Sequence, residues 1–435
     1  MADRLHVYLS GEPIGIVERL AGGRYQFTYS DDYRKSGGVS LSPTLPVGVG
    51  PFRSGHIEAY LEGLLPEKPE VRRGWAATLG TGNDAFDLLG SMGLDCVGAV
   101  QFVKPGDEKQ ISERSSEYRP WTDRMIAERL NELRDEGASW TLPGEHWSLP
   151  GAQDKFTLTL RNDKWHEPRG SGASTHIVKP GIRRLHHQAV LEHATMRVAH
   201  RLGLRVASTE LHDFNGEPAI VITRFDRVSA AESVLRLHQV DFCQAMGRLP
   251  ENKYEEQNGP RTQALAQMLR SHSSAPHQDV TRFSDAVMFN YIVGAPDGHS
   301  KNFALLYQPN GNARLAPLYD LATGFAYQPR GGGYDLTGTA LSIGGRRKFG
   351  QVLEKNWIRH ALELGLDADE RLHRATEMAT SVTDAFRDEL ASLGAPGREL
   401  SARLLPRLSK HADGIVRRTG RNSPAVTGSP RDDSD

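Results

Sequence analysis

A short polar segment near residue 300 constrains this chain more than any other part of its 435 residues. Asp297 is followed by Asn302, and a second acidic residue, Asp320, comes after one further strand–turn–strand length. A carboxylate can accept the proton of an attacking hydroxyl, whereas an amide oxygen and a second carboxylate are the hard ligands that Mg²⁺ prefers. The order and spacing predict a phosphoryl-transfer site in which Asp297 is the base and Asn302 and Asp320 bind the metal.

The same segment has a structural interpretation, because Asp and Asn are common turn formers and would suit an exposed turn. The region upstream favours the functional interpretation, a phosphoryl-transfer site. Residues 147–160 predict a turn that opens into a strand. A glycine-containing loop exposes backbone N–H groups that can bind phosphate, and its candidate contacts are Ser148, Gly151, Ala152, Gln153 and Lys155.

Two further elements follow this loop in the expected order. Residues 176–180 predict a short strand that presents Lys179. Residues 188–202 have apolar side chains at helical spacing and predict a helix whose first half carries Glu192. A protein kinase uses a phosphate loop, a strand lysine, a helix glutamate and then Asp, Asn and Asp in this order, with the lysine at the nucleotide phosphates.

Five segments together resemble the HipA family, the serine/threonine kinase toxins of bacterial type II toxin–antitoxin modules. They are Ser-x-Pro-Gly-Ala-Gln-Asp-Lys at 148–155, His-Ile-Val-Lys-Pro at 176–180, Arg-Phe-Asp-Arg at 224–227, Asp-Gly-His-Ser-Lys-Asn at 297–302 and Leu-Tyr-Asp-Leu at 318–321. The resemblance covers nearly the whole chain. It implies an α+β fold in which a small β-rich N-terminal unit precedes a two-lobed, protein-kinase-like fold with a mostly helical C-terminal lobe.

Composition and pattern predict the following division of the chain. Residues 1–105 form the β-rich N-terminal domain, 104–119 are a polar loop and 121–135 are a helix. Residues 120–228 form the small kinase lobe, in which 148–228 are a mixed sheet with one helix, and 229–415 form the helical lobe with the catalytic loop. Residues 419–435 are rich in Ser, Pro, Gly and Asp and are predicted to be disordered.

The resemblance implies ATP and Mg²⁺ as cofactors and assigns Lys179 to the nucleotide phosphates. Within the catalytic loop, His299 is either a structural hydrogen-bonding residue or a proton shuttle. Lys301 either neutralises the γ-phosphate or is solvated. Phe225 lies beside adenine or in the core. The family often has Glu two residues before this Phe, and here it is Thr223, so a backbone contact to adenine would survive the change and a carboxylate contact would not.

Ser148 has a second implied role. In the family, a serine at this position can be autophosphorylated, which expels the phosphate loop and inactivates the kinase. A phosphate adds about −1.5 to −2 charge next to a loop that accepts the phosphates of ATP, so both cannot occupy it. The alternative is that Ser148 only caps the turn.

The implied partners are a helix-turn-helix antitoxin that binds operator DNA as a dimer, and a protein substrate such as an aminoacyl-tRNA synthetase. The N-terminal unit is the predicted antitoxin contact. Basic residues at 346–348 and 417–418 either contact DNA phosphate or are solvated. Two other functions remain open: a small-molecule kinase, and a catalytically idle corepressor that keeps the fold only to bind antitoxin and DNA.

Composition excludes several classes of protein. The formal net charge of −1 does not indicate a polycation that binds nucleic acid along its whole surface. Cys96 and Cys243 are far apart in sequence, which argues against a disulfide framework or a zinc site built from cysteines. No run of eighteen apolar residues and no apolar leader occurs, which predicts a cytoplasmic protein without a membrane partner.

Overall fold

The computed structural model describes residues 3–53, 55–112, 116–134, 145–230, 233–331 and 334–419. The N-terminal unit contains β1 (Arg4–Leu9), β2 (Glu12–Arg19), β3 (Tyr25–Tyr29), α1 (Asp31–Ser36), β4 (Phe52–Arg53), α2 (His56–Glu62), α3 (Pro69–Leu79), α4 (Ala85–Met92), β5 (Asp95–Cys96), β6 (Val100–Val103) and α5 (Lys109–Ser112). Five of these strands form an antiparallel sheet in the order β4-β3-β2-β1-β6. Side chains on β3 alternate between buried and partly exposed, because one face of the sheet packs on the core.

The small lobe contains β7 (Ser116–Pro120), α6 (Asp123–Arg134), β8 (Trp147–Ser148), β9 (Phe156–Arg161), β10 (Lys164–Gly170), β11 (His176–Lys179), α7 (Gln188–Arg201), β12 (Thr209–Phe214) and β13 (Glu217–Thr223). Six strands form a sheet in the order β12-β13-β11-β9-β10-β7. Helix α7 packs against β12 and β13. A hairpin, β14 (Arg227–Ala230) and β15 (Ser233–Arg236), leads to the large lobe.

The large lobe begins with β16 (Gln239–Asp241) and α8 (Phe242–Ala245). It continues with α9 (Thr262–His272), α10 (Pro276–Val293), β17 (Ala304–Tyr307), β18 (Ala313–Leu315), β19 (Arg330–Gly331), β20 (Tyr334–Asp335), β21 (Gly338–Ile343), β22 (Arg346–Lys348), α11 (Glu354–Glu363), α12 (Ala368–Ala391) and α13 (Gly394–Thr419). Three 3-10 helices are also present, at Pro250–Asn252, Glu255–Gln257 and Ser300–Asn302. Helix α10 is buried throughout its second half, at residues 286–293, and ends at Gly294 with φ +72°, which directs the chain into the Asp297 segment.

The predicted α+β class is confirmed, with a β-rich N-terminal unit followed by a sheet lobe and a mostly helical lobe. Two local predictions are wrong. The 104–119 segment is not a plain loop, because it contains α5 and the edge strand β7, which pairs with β10. The small-lobe sheet is not mixed, because each described pair in it is antiparallel. The predicted tail lies beyond residue 419, outside the described residues.

The N-terminal unit is tied to both lobes through buried contacts. One hydrophobic core runs through the unit and the lobes, and Trp75 of α3 meets Trp147 of β8 edge to face at 5.9 Å between ring centroids. Gln244 of α8 donates to the carbonyl of Tyr60 at 2.9 Å. A Cβ on Gly63 would lie 2.5 Å from Cγ of Gln244, so only glycine fits there without rearrangement.

A buried charge cluster joins the N-terminal unit to the chain between the lobes. Asp95 accepts hydrogen bonds from Arg224, Arg227 and Arg236, at 3.3, 2.9 and 3.3 Å. Burial alone would raise the pKa of Asp95, but the guanidinium groups of Arg227 and Arg224 lower it below its usual value. The carboxylate is therefore charged and compensated inside the protein. Among the described helices, none is both long and apolar enough to cross a membrane.

Candidate active site

A cavity of about 1250 Å³ lies between the two lobes, with the N-terminal unit along one side. Its walls come from the phosphate loop, β11, the segment after β13, the Asp297 segment and the chain around Asp320. The sequence-predicted site residues, including Glu192 of α7, converge here from six separate parts of the chain. The exception is Ser148, which does not line the cavity.

The phosphate loop turns at Gly151, where φ is +109°, a backbone conformation that glycine adopts without the cost of a Cβ. A Cβ there would lie 2.7 Å from Nζ of Lys155. Lys155 is buried and donates to the carbonyl of Pro150 at 2.5 Å. Gln153 donates to Gln188 of α7 at 3.1 Å, and Ala152 lines the cavity. The loop is thus braced internally by Lys155 and joined to α7 through Gln153.

Burial and the nearby ammonium of Lys179 lower the pKa of Lys155 to about 8. Two lysines therefore face the same part of the cleft, and like charge at short range favours the neutral form of one of them. An anion bound between them would relieve this repulsion.

Ser148 lies behind the loop, on β8, and is fully buried. Its hydroxyl donates to the carbonyl of Leu64 at 2.8 Å, and β8 pairs in parallel with β5 of the N-terminal unit. The predicted contact of Ser148 with the nucleotide is therefore not available in this conformation. The turn-cap alternative is also wrong, because the hydroxyl bonds a distant carbonyl and not the N–H groups of its own turn.

Lys179 and Glu192 form an ion pair at 2.8 Å between β11 and α7. Lys179 also contacts the carboxylate of Asp320. Burial alone would lower the pKa of Lys179, but Asp320 and Glu192 raise it above the usual value. In return, Lys179 and Lys155 lower the pKa of Asp320 against the effect of burial. Both groups are therefore held in their charged forms.

Asp320 follows Tyr319 in the left-handed backbone region, with φ +54°. Asp is among the few non-glycine residues that tolerate this conformation. The hydroxyl of Tyr319 donates to the carbonyl of Lys301 at 2.7 Å. This bond joins the segment that carries Asp320 to the Asp297 segment.

Asp297 and Asn302 are joined through the backbone of their loop. The side-chain amide of Asn302 donates to the carbonyl of Asp297 at 2.7 Å, so its Oδ1 is the atom able to bind a cation. The Asp297 side chain is 64% exposed to the cleft, and its Oδ1 accepts a 2.6 Å hydrogen bond from the hydroxyl of Tyr254. The enclosing walls of the cleft raise the pKa of Asp297, whereas Tyr254 and Lys253 act in the opposite direction.

His299 is buried, and its Nε2 lies 3.8 Å from Oδ1 of Asp297. Burial and the charge of Lys253 lower its pKa to about 3. The ring meets Tyr254 edge to face, with centroids 4.9 Å apart. A neutral imidazole with so low a pKa is poorly suited to a proton shuttle. The hydrogen-bonding alternative is not supported either, because the buried Nδ1 has no hydrogen-bond partner, and the ring contributes by packing on Tyr254.

Lys301 is also buried, which contradicts the solvated alternative. Its ammonium lies 2.7 Å from the carboxylate of Asp241 and 3.3 Å from the carbonyl of Gly63. Burial alone would lower its pKa, but Asp241 raises it. Because Asp241 already compensates this charge, Lys301 holds the loop against the N-terminal unit and is a poor candidate for neutralising phosphate.

Phe225 is partly buried at the cleft wall, and its ring centroid lies 5.8 Å from that of Tyr319. Its neighbours Arg224, Asp226 and Arg227 are buried in the Asp95 cluster. Arg224 and Asp226 also border the cavity, but their charged groups are paired within the cluster, which leaves the ring of Phe225 as the part of that motif able to contact a base. Thr223, the residue that replaces the common Glu, also lines the cavity.

Tyr254 contacts the candidate base Asp297, and it was not identified from the sequence. It lies between two 3-10 helices, in a segment held from three sides. Lys253 pairs with Glu67 of the N-terminal unit at 2.5 Å, Ser300 donates to the carbonyl of Lys253 at 2.9 Å, and Glu255 accepts from Ser342 of β21 at 2.8 Å. The sequence around Tyr254 is a polar, irregular stretch with no periodic signal.

Comparison with known proteins matches nearly all of the chain. The family model described as the HipA N-terminal domain matches residues 5–103, and the HipA-like C-terminal domain matches residues 147–386. The Sinorhizobium fredii protein Y4mE, named as a kinase, is 34% identical over 88% of this chain and 90% of its own length. The serine/threonine-protein kinase toxin HipA of Shewanella oneidensis is 31% identical over 69% of this chain and 70% of its own.

A solved structure of a HipA protein has the same fold as this chain. The Shewanella oneidensis complex of HipA, HipB and operator DNA contains a chain that superposes with a TM-score of 0.79 at 25% identity. The superposition covers 95% of this chain and 99% of that one.

Proposed function

The chain belongs to the HipA family, and from that premise we propose that it is an ATP- and Mg²⁺-dependent protein serine/threonine kinase that acts as the toxin of a toxin–antitoxin pair. The observation that carries the proposal is the convergence of Lys179, Asp297 and Asp320 on one cleft. Phosphoryl transfer needs a cation at the phosphates, a base for the acceptor and oxygen ligands for a metal, and little else from the protein.

The residues present fit ATP with Mg²⁺. Asn302 Oδ1 and the carboxylate of Asp320 are hard oxygen donors, and Lys179, Lys155 and the backbone near Gly151 can hold phosphate. Bound Mg²⁺ neutralises charge on the transferring phosphoryl group. Lys179 and Asp320 compensate each other in the structure, and bound nucleotide phosphate and Mg²⁺ would offer each of them a partner of opposite charge.

Asp297 is the proposed base or orienting group for the acceptor hydroxyl. Its Oδ1 already accepts from one hydroxyl, that of Tyr254, in the arrangement that an incoming serine or threonine would need. Tyr254 thereby holds the carboxylate in one orientation and favours its ionised form. A substrate hydroxyl must use the second oxygen or displace Tyr254.

The proposed regulation through Ser148 requires a change in conformation. Its hydroxyl bonds to Leu64 and lies outside the cleft, so phosphorylation requires β8 to leave β5 first. A phosphate with about −1.5 to −2 charge could not return to that buried position, which supports a loop that stays open after modification. This is the proposed self-inactivation.

The proposed partners are a helix-turn-helix antitoxin and, through it, operator DNA. The solved complex of HipA with HipB and operator DNA supports this assignment. The proposed antitoxin contact is the N-terminal unit, and the proposed substrate is a translation component such as an aminoacyl-tRNA synthetase.

Incubation of the purified protein with Mg²⁺ and γ-labelled ATP, followed by mass spectrometry, tests the enzyme assignment. We expect phosphate on Ser148 in the wild type, none in Asp297→Gln, and normal labelling in Glu70→Gln, a matched carboxylate-to-amide change on the cleft wall. Labelling of Asp297→Gln would refute the role of Asp297.

Two outcomes would favour the other functions. No labelling together with no ATP binding would favour the idle corepressor. Transfer only to small acceptors would favour the small-molecule kinase. Overexpression gives a second measurement: the wild type should arrest growth, and Asp297→Gln should relieve the arrest.

A further inference from the structure

Two adjacent histidines and one glutamate meet where the small lobe contacts the last helix. His186 and His187 directly precede α7, and Glu399 lies in α13. Both Nε2 atoms lie 3.4 Å from the same oxygen, Oε2 of Glu399, and one ligand atom from each residue lies within 4.8 Å of the others. Within the described ranges, this is the one group of three or more His, Cys, Asp or Glu side chains that comes so close.

The two imidazole–carboxylate distances suit a shared metal better than direct hydrogen bonds. A charged imidazole–carboxylate hydrogen bond is usually about 2.7–2.9 Å long, clearly shorter than the 3.4 Å found twice here. Ligands about 2.0–2.1 Å from a tetrahedral zinc ion lie roughly 3.3–3.4 Å from one another, because that is the edge length of the tetrahedron.

Two features of His187 suit a metal ligand. Its Nε2 is buried and has no hydrogen-bond partner, and its backbone has φ +60°, a conformation that is costly for a residue with a Cβ.

We propose that His186, His187 and Glu399 bind a borderline divalent cation of the Zn²⁺ class. Two imidazoles and one carboxylate are typical zinc ligands, and the exposed side of the cluster leaves a fourth position for water. The site does not depend on the proposed kinase activity.

The position of the site gives it a structural consequence. Residues 182–185, just before the two histidines, line the nucleotide cleft, whereas Glu399 belongs to the helical lobe. A bound metal would therefore hold the edge of the cleft to α13 and restrict the movement of one lobe relative to the other.

Arg403 would compete with a bound metal for the carboxylate of Glu399. Its guanidinium lies 3.7 Å from the same oxygen of Glu399, one helical turn away on α13. A divalent cation at Glu399 would repel this charge, and the metal must displace Arg403 to bind. Removal of the guanidinium is therefore expected to strengthen binding, whereas a merely structural cluster would gain no metal affinity.

The test is a calorimetric titration of the full-length protein with Zn²⁺ in excess Mg²⁺, which occupies oxygen-rich sites, together with visible absorption of the Co²⁺-substituted protein. We expect one equivalent to bind with nitrogen-ligand Co²⁺ bands. Affinity should fall by roughly 10- to 100-fold or more in Glu399→Gln and in His187→Asn, which keeps a residue suited to positive φ.

His212→Gln is the matched control, because His212 also pairs with a glutamate but has no third ligand among the residues that the structure describes. It should bind Zn²⁺ like the wild type, and Arg403→Gln should bind more tightly. Far-UV circular dichroism checks that each variant is folded. The proposal is overturned if the wild type shows no saturable equivalent, or if Glu399→Gln and His187→Asn, both folded, bind as the wild type does.

Discussion

Replacement of Tyr254 by Phe removes one oxygen from the candidate active site and leaves the ring that packs on His299. The lost group is the 2.6 Å hydrogen bond to Oδ1 of Asp297. A hydrogen bond to a charged group contributes about 1.5–3 kcal/mol. Because Asp297 is largely open to the cleft, where water can take over the bond, the lower end applies, about 1.5 kcal/mol.

That free energy corresponds to about one pKa unit. The hydroxyl stabilises the ionised carboxylate, so its removal raises the pKa of Asp297 further above the usual value. A base works only when ionised, so activity is lost as the pH falls through that pKa. The acid limb of the profile should therefore move to higher pH by up to about one unit in Tyr254→Phe.

The assay is kcat/KM for the protein acceptor as a function of pH, because this quantity reports the pKa values of the free enzyme. Tyr33→Phe is the matched control, since it loses a hydroxyl that donates to Val39 in the N-terminal unit, far from the cleft. An acid limb that stays in place or moves to lower pH in Tyr254→Phe would refute the reasoning.

Three further predictions concern other parts of the molecule. ATP affinity should weaken as the pH rises through about 8, where Lys155 loses its proton, and Lys155→Arg should flatten this dependence in calorimetric titrations because arginine stays charged. Asp95→Asn should lower the free energy of unfolding in urea by about 3–5 kcal/mol, because it leaves buried arginines uncompensated, whereas the fully exposed Asp32→Asn should change it little. Ser148→Ala should cost about 1 kcal/mol for the lost bond to Leu64 but should keep its kinase activity after incubation with ATP, and a variant that still inactivates would contradict the regulatory role.

The sequence predicted those parts of the site that lie on regular elements. Lys179 and Glu192 lie on a strand and a helix whose apolar periodicity is visible in the chain, so their approach follows from the order of elements. Asp297 and Asn302 are close in sequence, and Asn302 lies at the end of a short 3-10 helix. Their proximity therefore follows from the local path of the chain. These positions depend on short-range rules that the sequence expresses directly.

The parts that were missed depend on pairs distant in sequence. Tyr254 is 43 residues from Asp297, and Asp241 is 60 residues from Lys301. In each pair one residue, Tyr254 or Lys301, lies in a segment without a regular helix or strand pattern. Spacing cannot show whether a lysine in a polar loop is solvated, so the burial of Lys301 against Asp241 was not predictable. The burial of Ser148 depends on a two-residue strand that pairs with another domain.

The close fit of Gly63 against Gln244 constrains how the sequence can change during evolution. A Cβ at Gly63 would collide with Gln244, and the carbonyl of Gly63 also accepts from Lys301 of the Asp297 segment. A recombination that joined the first hundred residues of one relative to the lobes of another would have to carry matching residues at both positions. Divergence at one position therefore limits divergence at the other, and the two parts of the chain should evolve as a single unit.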